Sequence, residues 1–156
     1  MSRNWTVGDR IAYGEIVVNH DELVQEQRFG WEVLGPIAFD PGTLPPFEVM
    51  VANSVHTNPK IARRYGLRDA VVPGVRLFAY ICDMFLKEFG IAWAEGGALS
   101  VKFVAPAMSG DILHTFATVK EIVSTANGTQ LTFHVAVINQ HDEQLVQGKA
   151  QIGVQQ

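Results

Sequence analysis

The chain has 156 residues, 47% of them apolar and 18% charged, with a net charge of −4 and a pI near 5.7. This suits one domain over residues 1–156 with a sizeable core, and it lacks the basic stripe that displaces counterions from phosphates, so no nucleic-acid partner is expected. Cys82 is the single cysteine. No apolar run follows Met1-Ser2-Arg3-Asn4-Trp5, and no uncharged apolar stretch reaches about 18 residues, so neither a leader nor a membrane span is expected and a reducing cytoplasm is the simplest compartment.

Residues 5–9 lead into a first strand over 10–18. His20-Asp21-Glu22 reads as a helix start, with carboxylates at the positive end of the dipole, and the helix is expected over 21–29. Residues 30–46 carry Pro36, Pro41, Gly42, Pro45 and Pro46 and read as a loop or flap with little regular structure. A short helix is expected over 47–53.

The clearest helix runs over 74–89. Val75, Phe78, Cys82, Phe85 and Phe89 recur at three- and four-residue steps and share one face. Ala79, Ile81 and Leu86 widen it, so a helix wrapped on several sides is expected. Arg76, Tyr80, Asp83 and Lys87 form a narrower polar stripe suited to packing or subunit contact, with Asp83 and Lys87 spaced as an i,i+4 pair. Pro73 before and Gly90 after are the expected punctuation. Cys82 and Trp93 read as packing residues.

The last third changes period. Strands are expected over 99–104, 111–123, 129–139 and 144–154. In the third, Leu131, Phe133, Val135 and Val137 alternate with more polar neighbours. The turns at 124–128 and 139–143 pair these strands antiparallel. His114 and His134 sit on strands without a matching ligand set, so no metal site is expected. A strand, a long apolar helix and a meander of strands bury their apolar faces together when the sheet curls around the helix. The fold class is α+β and the arrangement is the hot-dog fold.

Chemistry concentrates in Val51-Ala52-Asn53-Ser54-Val55-His56-Thr57-Asn58-Pro59-Lys60-Ile61-Ala62, ahead of Val72-Pro73-Gly74-Val75 at the long helix. Asn53, Val55, His56 and Ala62 fall without a gap on a stretch of the MaoC-like (R)-specific enoyl-thioester hydratases, and the chain resembles that family. Gly74 falls on the glycine that opens the family's central helix. Val101-Lys102-Phe103-Val104-Ala105-Pro106 and Gly110-Asp111 resemble its Phe-x-x-Pro strand end and following Gly-Asp turn. Val7-Gly8-Asp9 is a weaker echo. The chain departs from the family at three places. Met50-Val51 stands where the family has Gly-Asp, Ser54 replaces its proline, and Pro73 replaces the histidine before Gly74.

The resemblance implies reversible hydration of a 2-enoyl thioester, or dehydration of the (R)-3-hydroxyacyl thioester. The reaction needs a base for water, an acid for the α carbon and donors for the enolate oxygen. His56 takes the family histidine's role. The amides of Gly74 and Val75 fit the enolate donors, since first-turn amides lack intrahelical partners and the dipole favours negative charge there. Asn53 either fixes the turn before His56 or touches substrate.

Valine at 51 carries no proton, and three readings follow. Glu48, one helical turn earlier, substitutes for the missing carboxylate, with Asp83 the poorer choice. Alternatively, His56 works alone. In the third, the chain is a silent acyl-thioester-binding subunit of a hot-dog heterodimer, with Val51 lining the pocket. Thioester hydrolysis is a further activity of the fold. The partners implied are an acyl-CoA or acyl-carrier thioester and a second hot-dog chain, as homodimer or heterodimer. No cofactor is implied, because coenzyme A or the carrier belongs to the substrate.

Overall fold

The computed structural model describes residues 4–34, 45–126 and 128–155. Strand β1 (Arg10–Val17) precedes α1 (His20–Phe29) and one π-helical turn (Gly30–Leu34). Then come α2 (Phe47–Asn53), α3 (Pro59–Arg64), α4 (Gly74–Phe89) and α5 (Ile91–Gly96). Strands β2 (Ala98–Phe103), β3 (Ile112–Thr125), β4 (Gly128–Ile138) and β5 (Gln144–Val154) complete the chain. Among the described residues, those within 1–16, 74–105 and 112–156 form one compact unit, and those within 17–73 and 106–111 form the other. No helix among them is long and apolar enough to cross a membrane.

The first unit holds the sheet, ordered β1-β3-β4-β5-β2, so β1 and β2 are the outer strands. The β3–β4, β4–β5 and β2–β5 pairs are antiparallel. Leu131, Phe133, Val135 and Val137 of β4 are fully buried, as their spacing predicts, but Thr132 and Ala136 between them are buried too, so the middle of this strand is covered on both faces rather than half-buried. Helix α4 packs on this sheet through aromatic contacts. The Phe85 ring meets Phe133 edge-on at 5.2 Å and stacks on Trp93 of α5 at 4.4 Å. Burying a side chain of this kind stabilises by about 1.5–3 kcal/mol, and such ring pairs add about 0.5–1.5 kcal/mol. An antiparallel five-stranded sheet carrying one long helix is the hot-dog fold, as the order of periods predicts.

The expected face of α4 needs correction. The buried residues are Leu77, Ile81, Met84 and Phe85, whereas Val75 is 74% exposed and Phe78, Ala79 and Leu86 are also exposed. Apolar residues occupy two stripes of the helix, and the sheet covers one. The helix is therefore not wrapped on every side. Its polar stripe is tied to β1: Asp83 lies 3.0 Å from Lys87 and shares a hydrogen bond with Tyr13, and the Lys87 ammonium sits 4.0 Å from the centre of the Tyr13 ring.

The second unit contains α1, α2 and α3. Asn19 caps α1 by accepting from the Asp21 amide at 2.9 Å. Residues 30–46 are expected without regular structure, yet Gly30 keeps helical angles (φ −59°, ψ −40°) and the chain continues through the π-helical turn. A glycine stops a helix only when the backbone leaves the helical region, which it does not do here. The proline-rich part, 35–44, lies outside the described residues.

Helix α3 is not foreseen by the sequence reading. Asn58 caps it by accepting from the Lys60 amide at 3.0 Å, with Pro59 in the first turn. It ends where the Leu67 amide donates to Ala62 and the Gly66 amide to Arg63. Gly66 takes φ +78° there, the left-handed turn of a Schellman cap. Ala62 and Leu23 are buried in this unit, together with Val18, Phe47, Ala70, Val72 and Ala107.

Candidate functional site

Within the second unit, His56 sits on a loop built almost entirely by side-chain caps. Helix α2 leaves its last carbonyls without intrahelical donors. Asn53 Nδ2 donates to the Val49 carbonyl at 2.7 Å, Thr57 Oγ1 to Val51 at 2.8 Å, and Asn58 Nδ2 to Ala52 at 2.6 Å. Ser54 leaves the helix in an extended conformation. Its hydroxyl accepts from the His56 amide at 3.1 Å, and its carbonyl accepts from the Asn58 amide at 2.9 Å. Thr57 is buried. Asn53 thus fixes the end of α2, one of the two roles open to it.

The imidazole is oriented by a second segment. His56 Nδ1 lies 2.8 Å from the Val71 carbonyl oxygen, and the Val71 amide donates to the Val55 carbonyl at 2.9 Å. Val71 is pinned in turn, since it bridges to Met108, the Val72 amide donates to Ala107 at 2.8 Å and the Ser109 amide to Ala70 at 2.8 Å. A carbonyl oxygen only accepts, so Nδ1 carries the ring proton and Nε2 keeps its lone pair. His56 is half-buried, and the Val71 carbonyl fixes the orientation of its ring.

Two further residues support this loop without any spacing signal to reveal them. His20 Nε2 lies 2.8 Å from the Thr57 carbonyl, 37 positions along the chain. The Asp111 carboxylate, 1% exposed, accepts from the Met108 amide at 2.8 Å and pairs with Arg68 at 2.5 Å. Asp111 therefore locks the 106–111 turn on which Val71 rests. The sequence gives Gly110-Asp111 only as a family-like turn.

Val51 is half-buried and Glu48 is exposed, both on α2. Among the described residues, the only hydrogen-bond partner of the His56 ring is the Val71 carbonyl, and no carboxylate reaches it. No group of three or more His, Cys, Asp or Glu side chains among them is arranged to hold a metal.

In the first unit, Gly74 is the first residue of α4. Its first-turn amides have no intrahelical acceptor. A Cβ at Gly74 would stand 3.3 Å from the Phe103 ring of β2, so a larger residue there would need that exposed ring to give by a few tenths of an ångström. Val75 directs an exposed side chain outward. Asp83 is engaged with Tyr13 and Lys87.

No family model matches the chain, and neither does any curated protein. Solved structures do match. The MaoC-like dehydratase from Rhodospirillum rubrum is 20% identical with a TM-score of 0.66, over 97% of this chain and 94% of that one. The R-hydratase PhaJ1 from Pseudomonas aeruginosa is 19% identical with a TM-score of 0.65, over 97% and 83%. The ChsH1–ChsH2 complex from Mycobacterium tuberculosis is 13% identical with a TM-score of 0.64, over 96% and 98%. At these identities the likeness is one of fold, and it places the chain among hot-dog proteins.

Proposed function

We propose that the chain is a hydro-lyase that adds water reversibly to 2-enoyl thioesters, giving (R)-3-hydroxyacyl thioesters. The observation that carries this reading is the His56 ring, tied through Nδ1–H to the Val71 carbonyl with Nε2 left as a base. The hydratase and dehydratase names borne by the fold neighbours support it. His56 Nε2 takes a proton from water as the oxygen bonds to C3, and that proton is then delivered to C2. The family resemblance implies the amides of Gly74 and Val75 as the donors for the enolate oxygen, a role for which unpartnered first-turn amides are suited. General acid–base work of this kind contributes about 10²–10⁴-fold.

The test is crotonyl-CoA with purified protein, following the loss of enoyl absorbance. Turnover supports the reading. No turnover on short, long and branched enoyl thioesters overturns it, and release of free thiol would mark a thioesterase instead. Should a carboxylate share the proton transfers, Glu48 is the one proposed, and Glu48→Gln would then abolish turnover.

The absence of a carboxylate partner for His56 among the described residues favours a second reading, that of a silent acyl-binding subunit needing a partner hot-dog chain. Acyl-CoA binding without turnover, with activity appearing only on adding such a partner, would establish it. In either case we propose a dimer, since β1 and β2 are the outer strands of the sheet among the described residues and α4 exposes an apolar stripe. A monomer in light scattering would refute it.

A further inference from the structure

Residues 49–68 contain Lys60, Arg63, Arg64 and Arg68 and no Asp or Glu. The other 136 residues carry eight cations against sixteen carboxylates. The segment that bears His56 is therefore a positive island on a negative chain. The fold concentrates it further. Helix α3 and its Schellman turn put Lys60, Arg63, Arg64 and Arg68 on exposed positions within nine residues. Arg63 and Arg68 are each held by one carboxylate, Asp69 at 3.4 Å and Asp111 at 2.5 Å, while their side chains remain 60% and 56% exposed. Arg63 also donates through Nε to the Arg68 carbonyl at 3.3 Å, so both guanidinium groups are oriented through some of their donors while the side chains stay exposed. Lys60 and Arg64 have no ion pair or side-chain hydrogen bond among the described residues. Between them and Gly66, Tyr65 is 74% exposed.

From this arrangement we infer that the α3 corner, Lys60 to Arg68, binds the phosphorylated nucleotide end of a coenzyme A thioester. The inference rests on the hydro-lyase reading and names the carrier. Preoriented arginine forks and a free lysine suit phosphate oxygens. An exposed tyrosine beside them offers its face to a purine. A carrier protein is a poorer fit, because its thioester carries no purine for Tyr65 to face. The patch also explains how a chain of net charge −4 would receive a polyanionic substrate, since local fields steer encounter more than net charge does.

Two thioesters of one acyl group test this: crotonyl-CoA, and the crotonyl thioester of N-acetylcysteamine, which lacks the nucleotide and its phosphates. Lys60→Glu with Arg64→Glu reverses the two cations that hold no partner. The expected result is a KM for crotonyl-CoA raised by about tenfold or more, with kcat unchanged and the truncated thioester unaffected. Tyr65→Ala raises the same KM more modestly, and added salt weakens the native protein for crotonyl-CoA but not the double variant. A KM that rises equally for both thioesters, or for neither, overturns the inference. So does a response seen only with a carrier-protein thioester. If native protein turns over neither thioester, binding of adenosine 3′,5′-bisphosphate by calorimetry decides separately: binding lost in the double variant supports the patch, and no binding by native protein refutes it.

Discussion

Replacing His56 by asparagine and by alanine separates the two jobs of the ring. Asparagine Nδ2 sits near where His56 Nδ1 does and still donates to the Val71 carbonyl, but it offers no base. Alanine loses both. The bond to Val71 is 2.8 Å long and half-buried, and such a bond is worth about 0.5–1.5 kcal/mol net. At about 2–4 °C per kcal/mol for a chain of this length, His56→Ala should lower Tm by roughly 2–5 °C while His56→Asn stays closer to native. Turnover should behave differently. On the proposed hydro-lyase reading both variants lose the proton carrier, so both should fall by about 10²–10⁴-fold, equivalent to about 3–5.5 kcal/mol of barrier. The assays are enoyl absorbance with crotonyl-CoA and thermal unfolding of the same samples. Nitrogen NMR of the native ring should show Nδ1 protonated and Nε2 bare. An asparagine variant keeping more than about a tenth of native turnover would remove the imidazole from the proton path.

Four other outcomes follow from the same geometry. Phe85→Ala, in the fully buried cluster with Trp93 and Phe133, should cost about 3–5 kcal/mol and lower Tm by roughly 10–15 °C, measured by calorimetry. Asp111→Ala leaves the Met108 amide without its acceptor and should cost about 1–3 kcal/mol, read as a loss of denaturant midpoint with the slope unchanged. The Tyr13 and Lys87 hydrogen bonds hold Asp83 below the ordinary aspartate range, so its contribution is present above that range and is lost as pH falls through the lowered value. The Asp83 and Tyr13 hydrogen bonds hold Lys87 above the ordinary lysine range, so its share is present below that range and is lost as pH rises through the raised value. Tm of Asp83→Asn should therefore converge on native at low pH, and salt should shrink the difference because the pair is exposed. Burial pushes the Cys82 thiol up, so iodoacetamide should label it more slowly at neutral pH than a free cysteine.

Where one element carries its own signal, the sequence was readable. Helix α4 has sixteen residues of periodic apolar pattern between Pro73 and Gly90, and the meander β3–β5 alternates between close turns. Helices α3 and α5 span six residues each, too few for a period to show, although Asn58-Pro59 was a start signal in plain view. The β2–β5 pairing joins strands that are not neighbours in the chain. The choice between two apolar stripes of α4 depends on which one the sheet covers, and no periodicity decides that. The candidate loop was legible by its residues but not by its supports. His20 reaches Thr57 across 37 positions and Asp111 reaches Arg68 across 43, and neither pair has a local pattern.

These supports bear on what valine at 51 means. The backbone of Val51 is already used, since its carbonyl accepts from the buried Thr57 hydroxyl. Its side chain has no part in that bond, so residue 51 can change chemistry without moving the loop. Val51→Asp should therefore fold with Tm near that of the native chain, and it separates the two functional readings. In a silent subunit whose loop is intact, the new carboxylate supplies the absent proton carrier and turnover of crotonyl-CoA appears from nothing. In a working enzyme that relies on His56 alone, turnover is present beforehand and rises. A variant that folds, binds the thioester and still fails to turn it over would show that His56 and residue 51 do not form a water-activating pair. The hydro-lyase reading would then rest on native turnover alone.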